Sequence, residues 1–189
     1  MYIKIIAIFI FIFVQGVFSH VYAESDNDGM YLYMGGRAIV DAMKVTGSDE
    51  ATKGFKATTM QFGAGFSAGV YKPREYTALR FEIDYSYTMR SNSYYHAIMT
   101  NIYLQSAYKA DIFAPYIMFG VGMNVFDPPF AVIESNLAFN TGAGVIVPLN
   151  DTWLLDFGFR YMQSNINFHV EGTQKVKNHN FYIGCLRKF

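Results

Sequence analysis

The sequence predicts an all-β fold, a transmembrane antiparallel up-and-down β-barrel of about eight strands. Three observations predict it. Apolar and polar side chains alternate with the period of two that is characteristic of strands. Hydrophobic residues make up 52% of the chain and charged residues 16%, whereas an average soluble protein has roughly 25% charged residues. An apolar segment at the N-terminus is too short to anchor the chain in a membrane.

The N-terminal segment, residues 1–23, is typical of a cleavable signal peptide. Lys4 precedes an apolar run over 5–14, and the small residue Ala23 ends the segment before a polar stretch. A membrane anchor is the alternative, but it needs about 20 consecutive apolar residues, and polar residues interrupt this run too early. We therefore expect a signal peptide over 1–23 and a single barrel domain over 24–189.

Charge and cysteine content narrow the function classes. The formal net charge is +0 and the basic residues are not clustered, so the field that attracts a nucleic-acid backbone is missing. The single cysteine, Cys185, cannot form an internal disulfide. No nucleic-acid partner and no disulfide scaffold are expected.

The clearest strand lies at residues 79–90. There, Leu79, Phe81, Ile83, Tyr85, Tyr87 and Met89 alternate with Arg80, Glu82, Asp84, Ser86, Thr88 and Arg90. The same period runs through 61–70, 116–125, 139–147 and 153–162, and weaker versions cover 29–41, 95–109 and 177–189. Each of these segments is near or above the 9 to 11 residues that a tilted strand needs to cross a bilayer, which favours a membrane barrel over a soluble sandwich.

The charged face of these strands should line the barrel interior. A charge on the lipid face costs roughly 2 to 4 kcal/mol near the bilayer midplane. Five side chains are therefore predicted to point inward: Arg80, Glu82, Asp84, Asp156 and Arg160. Glycines on the same face leave room for them: Gly63, Gly65, Gly120, Gly122, Gly142, Gly144, Gly158 and Gly184.

These interior charges allow two interpretations. They form a self-satisfied plug, which is favoured because an eight-stranded barrel is only just wide enough for its own side chains, or they are the selectivity groups of a narrow pore. Arg80 and Glu82 are close enough along one strand to pair. Antiparallel pairing is expected to bring Lys188 near Asp156.

The connections should alternate between short and long. Tight polar turns are predicted at 72–76, 109–113 and 148–152, on the periplasmic side together with both chain termini. The other links, at 42–59, 90–94, 126–135 and 165–176, should face outward and be mostly longer. Trp153, beside a predicted periplasmic turn, suits an interfacial aromatic belt.

The chain resembles the small opacity-protein and OmpA-like outer-membrane barrels over essentially all of residues 24–189. The resemblance rests on Gly142-Ala143-Gly144-Val145, Pro148-Leu149-Asn150-Asp151-Thr152, Leu155-Asp156-Phe157-Gly158-Phe159-Arg160-Tyr161 and Gly184-Cys185-Leu186-Arg187-Lys188-Phe189. It implies the outer membrane of a Gram-negative type bacterium, lipid contact, and an assembly signal, Phe189 with Gly184, read by the barrel assembly machinery. Arg187 stands where that family usually has an apolar residue.

A catalytic site is not expected. A histidine at 96, 169 or 179 could in principle meet Ser91, Ser93 or Ser164, but solvated loop histidines are the favoured interpretation. No histidine or cysteine cluster has metal-ligand spacing, and the sequence predicts no cofactor. Cys185 is expected to face lipid, and Pro128 with Pro129 to stiffen an outward loop.

The sequence therefore favours a non-catalytic barrel that stabilises the outer membrane and displays its loops as an adhesin or antigen, with an extracellular or host ligand as a candidate partner. Recognition would reside at 42–59, 126–135 and 165–176. The alternatives are a narrow porin for ions or small solutes and a lipid-modifying outer-membrane enzyme.

Overall fold

A computed structural model of the protein describes residues 29–47, 56–90, 93–106, 113–127, 134–168 and 172–189. These residues form eight strands: β1 (Tyr31–Gly47), β2 (Lys56–Pro73), β3 (Thr77–Arg90), β4 (Ser93–Ser106), β5 (Ala114–Asp127), β6 (Glu134–Pro148), β7 (Trp153–Phe168) and β8 (Gly172–Lys188). Each strand pairs antiparallel with the next, and β8 pairs with β1 to close the barrel. The predicted eight-stranded, up-and-down, all-β barrel is confirmed.

No helix among the described residues is long and apolar enough to cross a membrane.

The alternating sequence places apolar side chains outside the barrel and charged ones inside. On the outer face, Phe62 is 65% exposed and Phe119 is 60% exposed. On the inner face, Arg80 is 2% exposed and Asp156 is fully buried. This arrangement is the reverse of a soluble protein, and it fits a surface that meets hydrocarbon.

The two ends of the barrel differ in their connections. We call the end that carries the turns after β2 and β6, together with Gly29 and Phe189, the turn end. Its turn at 149–152 is built by Asn150, whose Oδ1 accepts hydrogen bonds from the backbone N–H groups of Thr152 (2.9 Å) and Trp153 (2.8 Å). We call the opposite end, where β1 joins β2, the loop end.

The predicted loop-end links were too long. The strand predicted at 29–41 continues to Gly47, and β2 begins at Lys56, so the link spans 48–55 instead of 42–59. The other loop-end links shrink in the same way, to 91–92, 128–133 and 169–171. The part of a strand that lies beyond the hydrocarbon layer does not need an apolar face. The alternating sequence pattern therefore ends before the hydrogen-bonded strand does.

Several predictions lie outside the described residues. These are the signal peptide at 1–23, residues 109–112 of the turn predicted at 109–113, Pro128 with Pro129, His169 and Ser91.

The barrel interior is filled in three layers. A turn-end cluster is apolar and tyrosine-rich: Tyr33, Tyr71, Ala78, Tyr103, Tyr116, Met118, Ile146, Leu154 and Leu186. A loop-end cluster contains Met43, Tyr95, Ala97, Met99, Ala138, Met162 and Val176. Between them lies the charged layer, which we define as Arg37, Arg80, Glu82, Asp84, Asp156 and Arg160.

Candidate functional site

Arg37 lies at the centre of the charged layer. Its Nη2 is 2.8 Å from Glu82 Oε2 and 3.2 Å from Asp156 Oδ2, and its Nη1 is 3.8 Å from Asp84 Oδ2. Gly184 lies directly opposite on β8, where an added Cβ would be 2.8 Å from Arg37 Cγ. The absence of a side chain at Gly184 thus gives Arg37 room to cross the barrel and reach carboxylates on two other strands.

Arg160 binds a second carboxylate, that of Asp84. Its Nη1 donates to both oxygens of Asp84, at 3.0 and 2.8 Å, its Nη2 donates to Ser86 Oγ at 3.4 Å, and its Nε donates to Asn180 Oδ1 at 3.2 Å. Asn101 Nδ2 also donates to Asp84 Oδ2, at 2.5 Å. Charge-assisted hydrogen bonds of this kind are roughly twice as strong as neutral ones, so they fix both side chains.

Arg80 is held mainly by aromatic rings. Its guanidinium carbon lies 3.7 Å from the ring centroid of Tyr103, 5.1 Å from that of Tyr116 and 5.6 Å from that of Tyr33. Its Nη2 is 3.5 Å from Asp156 Oδ2. Cation–π contacts without water are worth roughly 2 kcal/mol or more, and these rings compensate a guanidinium that the described residues hydrogen-bond poorly.

The tyrosine hydroxyls complete the network. Tyr103 donates to Glu82 Oε1 at 2.6 Å, Tyr33 donates to Glu82 Oε2 at 2.9 Å, and Tyr116 donates to Asp156 Oδ1 at 2.7 Å. The charged layer contains three arginines and three carboxylates, so its formal charges balance. Buried charges persist when they are paired and hydrogen-bonded. The charges of the layer are paired, although Arg37 Nε, Arg80 Nε and Arg80 Nη2 have no hydrogen-bond partner among the described residues.

The five predicted interior charges all lie inside the barrel, and the structure brings them together. Arg37, the residue that links them, was missed. Its signal is faint but present, because Arg37 and Asp41 stand four residues apart in β1 and so share a face. Both are buried.

The expectation for Lys188 was wrong. Asp156 lies opposite Gly184 in the β7–β8 register, four residues before Lys188. The ammonium group of Lys188 lies instead 5.2 Å from the ring centroid of Tyr31, at the turn end. Closure of the barrel brings together side chains from strands that are not neighbours, such as Arg37 and Glu82. The pairing of neighbouring strands alone does not predict such contacts.

The described histidines do not meet the candidate serine. His96 accepts or donates a hydrogen bond with Tyr85 Oη at 2.8 Å on the outer face, and His179 packs against Tyr161 on the outer face. Ser164 is buried inside the barrel, where its Oγ accepts from Asn124 Nδ2 at 2.5 Å. The barrel wall separates these groups. Within the described ranges, no group of three or more His, Cys, Asp or Glu residues could hold a metal ion.

The C-terminal residues lie at the turn end. The backbone N–H of Phe189 donates to Leu32 O at 2.9 Å, and the Phe189 side chain is 64% exposed. The guanidinium of Arg187 lies 5.1 Å from the Phe189 ring and 5.7 Å from the Trp153 ring. Arg187 thus packs on two aromatic rings at the turn end. Recognition of Phe189 and Gly184 by the assembly machinery stays a prediction.

Adding a side chain at a glycine that faces the interior should destabilise the barrel. A Cβ at Gly158 would overlap the ring of Tyr182 and the hydroxyl of Tyr116, two tyrosines whose oxygens are 2.7 Å apart. Gly158→Ala should lower the free energy of unfolding by about 1–3 kcal/mol, because the packed rings must shift. Urea unfolding in detergent micelles, followed by the fluorescence of Trp153, measures this loss.

The matched control is Gly36→Ala. Gly36 faces outward, and an added Cβ there would meet only Gly65 O, at 3.9 Å. Its unfolding free energy should stay within about 0.5 kcal/mol of the parent. Equal effects at the two sites would contradict tight packing of the interior.

The closed barrel, its apolar outer face and its buried interior charges define a small membrane-spanning barrel. The chain belongs to the outer membrane protein beta-barrel domain family, whose model matches residues 9–189. It is therefore an outer-membrane protein of Gram-negative type.

Solved structures support the same fold. The chain is similar to Neisserial surface protein A (TM-score 0.64, 17% identity, 84% of this chain and 97% of that chain covered). It is also similar to OprG from Pseudomonas aeruginosa (TM-score 0.51, 15% identity, 85% and 95% covered). A third likeness is to Ail, the attachment invasion locus protein of Yersinia pestis (TM-score 0.50, 11% identity, 83% and 98% covered). No curated protein matches the chain.

Proposed function

We propose that the protein is a non-catalytic outer-membrane barrel that holds its loop-end connections rigidly for display at the cell surface, as an adhesin or antigen. The observation that carries this proposal is the interior. Arg37, Glu82 and Asp156 form ion pairs across the lumen at 2.8 and 3.2 Å, between two apolar clusters. A filled barrel of this kind supplies a stable frame and no path for solute.

The strands support display because they continue toward the loop end. Their hydrogen-bonded register runs on to Gly47 in β1 and to Phe168 in β7. The ends of each connection are therefore fixed by the barrel, which lets the connection vary without loss of stability. We propose that this end faces outward and that both termini are periplasmic.

Two similar barrels carry names that agree with surface display. One is a surface protein of Neisseria and the other is an attachment and invasion protein of Yersinia pestis. Those roles belong to those proteins. For this chain they support an extracellular or host surface as the partner.

Two cell experiments test the proposal. An epitope tag placed within 48–55 should bind antibody on intact cells, whereas a tag within 149–152 should bind only after permeabilisation. Cells that carry the protein should adhere to cultured epithelial cells at least about tenfold better than cells in which 48–55 and 128–133 are replaced by glycine–serine spacers of equal length, since loops carry recognition.

The spacer variant must first show the heat-dependent gel shift of a folded barrel. Equal adhesion by a folded spacer variant would contradict the adhesin role. Tag exposure at 149–152 on intact cells would reverse the orientation.

A further inference from the structure

The outer face of the β8–β1 pair carries a group of lysines near the loop end. Lys44 is exposed, and Lys175 and Lys177 are half-buried. Along β8, Lys175 and Lys177 alternate with Val176 and Asn178, which lie inside the barrel and are 2% and 1% exposed. All three lysines therefore point to the outside. We call Lys44, Lys175 and Lys177 the seam patch.

Two members of the seam patch lie directly opposite each other. Lys44 and Lys177 are register partners in the β1–β8 ladder, so their Cβ atoms are about 5 Å apart. Lys175 is about 7 Å farther along the same face of β8. Like charges directly opposite on a sheet destabilise it, so the arrangement has a cost unless an anion lies between the ammonium groups.

The described neighbours of the seam patch supply no such anion. The residues beside it on the outer face are neutral: Thr46, Thr58 and Gln163. Of the side chains that the structure describes, the remaining lysines, Lys72 and Lys188, lie at the turn end. Among the side chains that the structure describes, the lysines at the loop end of the outer face therefore lie on the β8–β1 pair.

Aromatic rings on the neighbouring β7–β8 pair set the depth of the seam patch in the membrane. His179 lies opposite Tyr161, with ring centroids 5.2 Å apart, and Phe159 and Phe181 continue the outer face toward the turn end, 5.0 Å apart. Girdles of amphipathic rings mark the headgroup level of a membrane barrel. Lys177, about 7 Å beyond His179 along β8, then reaches the headgroup layer.

We propose that the seam patch binds the phosphate of an anionic membrane lipid, whose acyl chains lie along Phe159 and Phe181. The phosphate lies between Lys44 and Lys177 and removes their repulsion by charge-assisted hydrogen bonds. The face across β3 and β4 has the same ring pairing, Tyr87 with His96 at 5.0 Å, but its described side chains include no lysine. The described part of the β3–β4 face therefore lacks the lysines that this site needs. This inference needs membrane insertion alone and holds for either orientation of the barrel.

The test compares two variants with the same change in charge. K44Q/K177Q removes the opposed pair, and K72Q/R74Q removes two cations at the turn end. Each protein is folded in phosphatidylcholine vesicles, checked by its heat-dependent gel shift, extracted in mild detergent and titrated with phosphatidic acid, with binding read by native mass spectrometry. K44Q/K177Q should bind about twenty-five-fold more weakly than the parent, at roughly fivefold for each lysine, and K72Q/R74Q should bind as the parent does.

Two further measurements distinguish a bound lipid from a free anion at the same lysines. In vesicles of phosphatidylcholine alone, K44Q/K177Q should be no less stable than the parent, because repulsion is removed and no bound anion is lost. Excess inorganic phosphate should displace phosphatidic acid poorly. Equal binding by all three proteins, equal loss in both variants, or displacement by inorganic phosphate as effective as by the lipid would overturn the proposal.

Discussion

Replacing Arg37 with methionine should lower the free energy of unfolding by about 3–5 kcal/mol, one of the two largest losses expected for a single substitution in this barrel. Arg37 Nη2 lies 2.8 Å from Glu82 and 3.2 Å from Asp156, and all three side chains are at most 4% exposed. Methionine fills much of the same space but leaves two carboxylates facing one fewer cation. Urea unfolding in phosphatidylcholine vesicles, followed by Trp153 fluorescence, measures the loss.

Three further variants assign that loss to charge. Arg74→Met, in the exposed turn after β2, should stay within about 0.5 kcal/mol of the parent. R37K should give an intermediate loss, because an ammonium group cannot fork to two carboxylates as a guanidinium does. R37M/E82Q should lose less than the sum of R37M and E82Q, with a coupling of about 1–3 kcal/mol. Additive losses would mean that Arg37 acts through packing, and the charged layer would then not be the element that holds the interior.

The sequence was sufficient to predict the architecture because lipid-facing and interior-facing residues alternate along each strand of a membrane barrel. In β3, Phe81 and Tyr85 are exposed at 46% and 42%, while Arg80 and Glu82 on the opposite face are at most 2% exposed. A period of two survives any error in strand boundaries. Strand number, face assignment and the inward position of the charges could therefore be derived without coordinates.

The sequence was insufficient for the contacts across the lumen. Arg37 on β1 contacts Glu82 on β3 and Asp156 on β7. These contacts depend on the shear of the closed barrel, which is the total stagger of the strand registers around it. That stagger is a property of all eight registers together. The same limit explains why Lys188 was the wrong partner for Asp156. The loops were predicted too long because the strands continue beyond the alternating pattern, where only hydrogen bonds to the neighbouring strands hold them.

Asp156→Asn should also lower the free energy of unfolding, by about 3 kcal/mol, and should leave the barrel without a channel. Asp156 is fully buried and compensates two arginines, with Oδ2 3.2 Å from Arg37 and 3.5 Å from Arg80. Asparagine keeps the shape and can still accept from Tyr116, so the loss reports the missing charge. Asp151→Asn, in the exposed turn at 149–152, is the matched control and should leave stability within about 0.5 kcal/mol of the parent.

Conductance of the same proteins in planar bilayers separates a plug from a pore. If the charged layer is a plug, neither the parent nor D156N gives discrete channels, because the apolar clusters close the lumen on both sides of it. If the layer is a selectivity site, D156N keeps the parent's stability and changes the single-channel conductance or its cation preference. The second pattern would make the protein a narrow porin, because a charge that ions must pass is solvated by them and contributes little to folding.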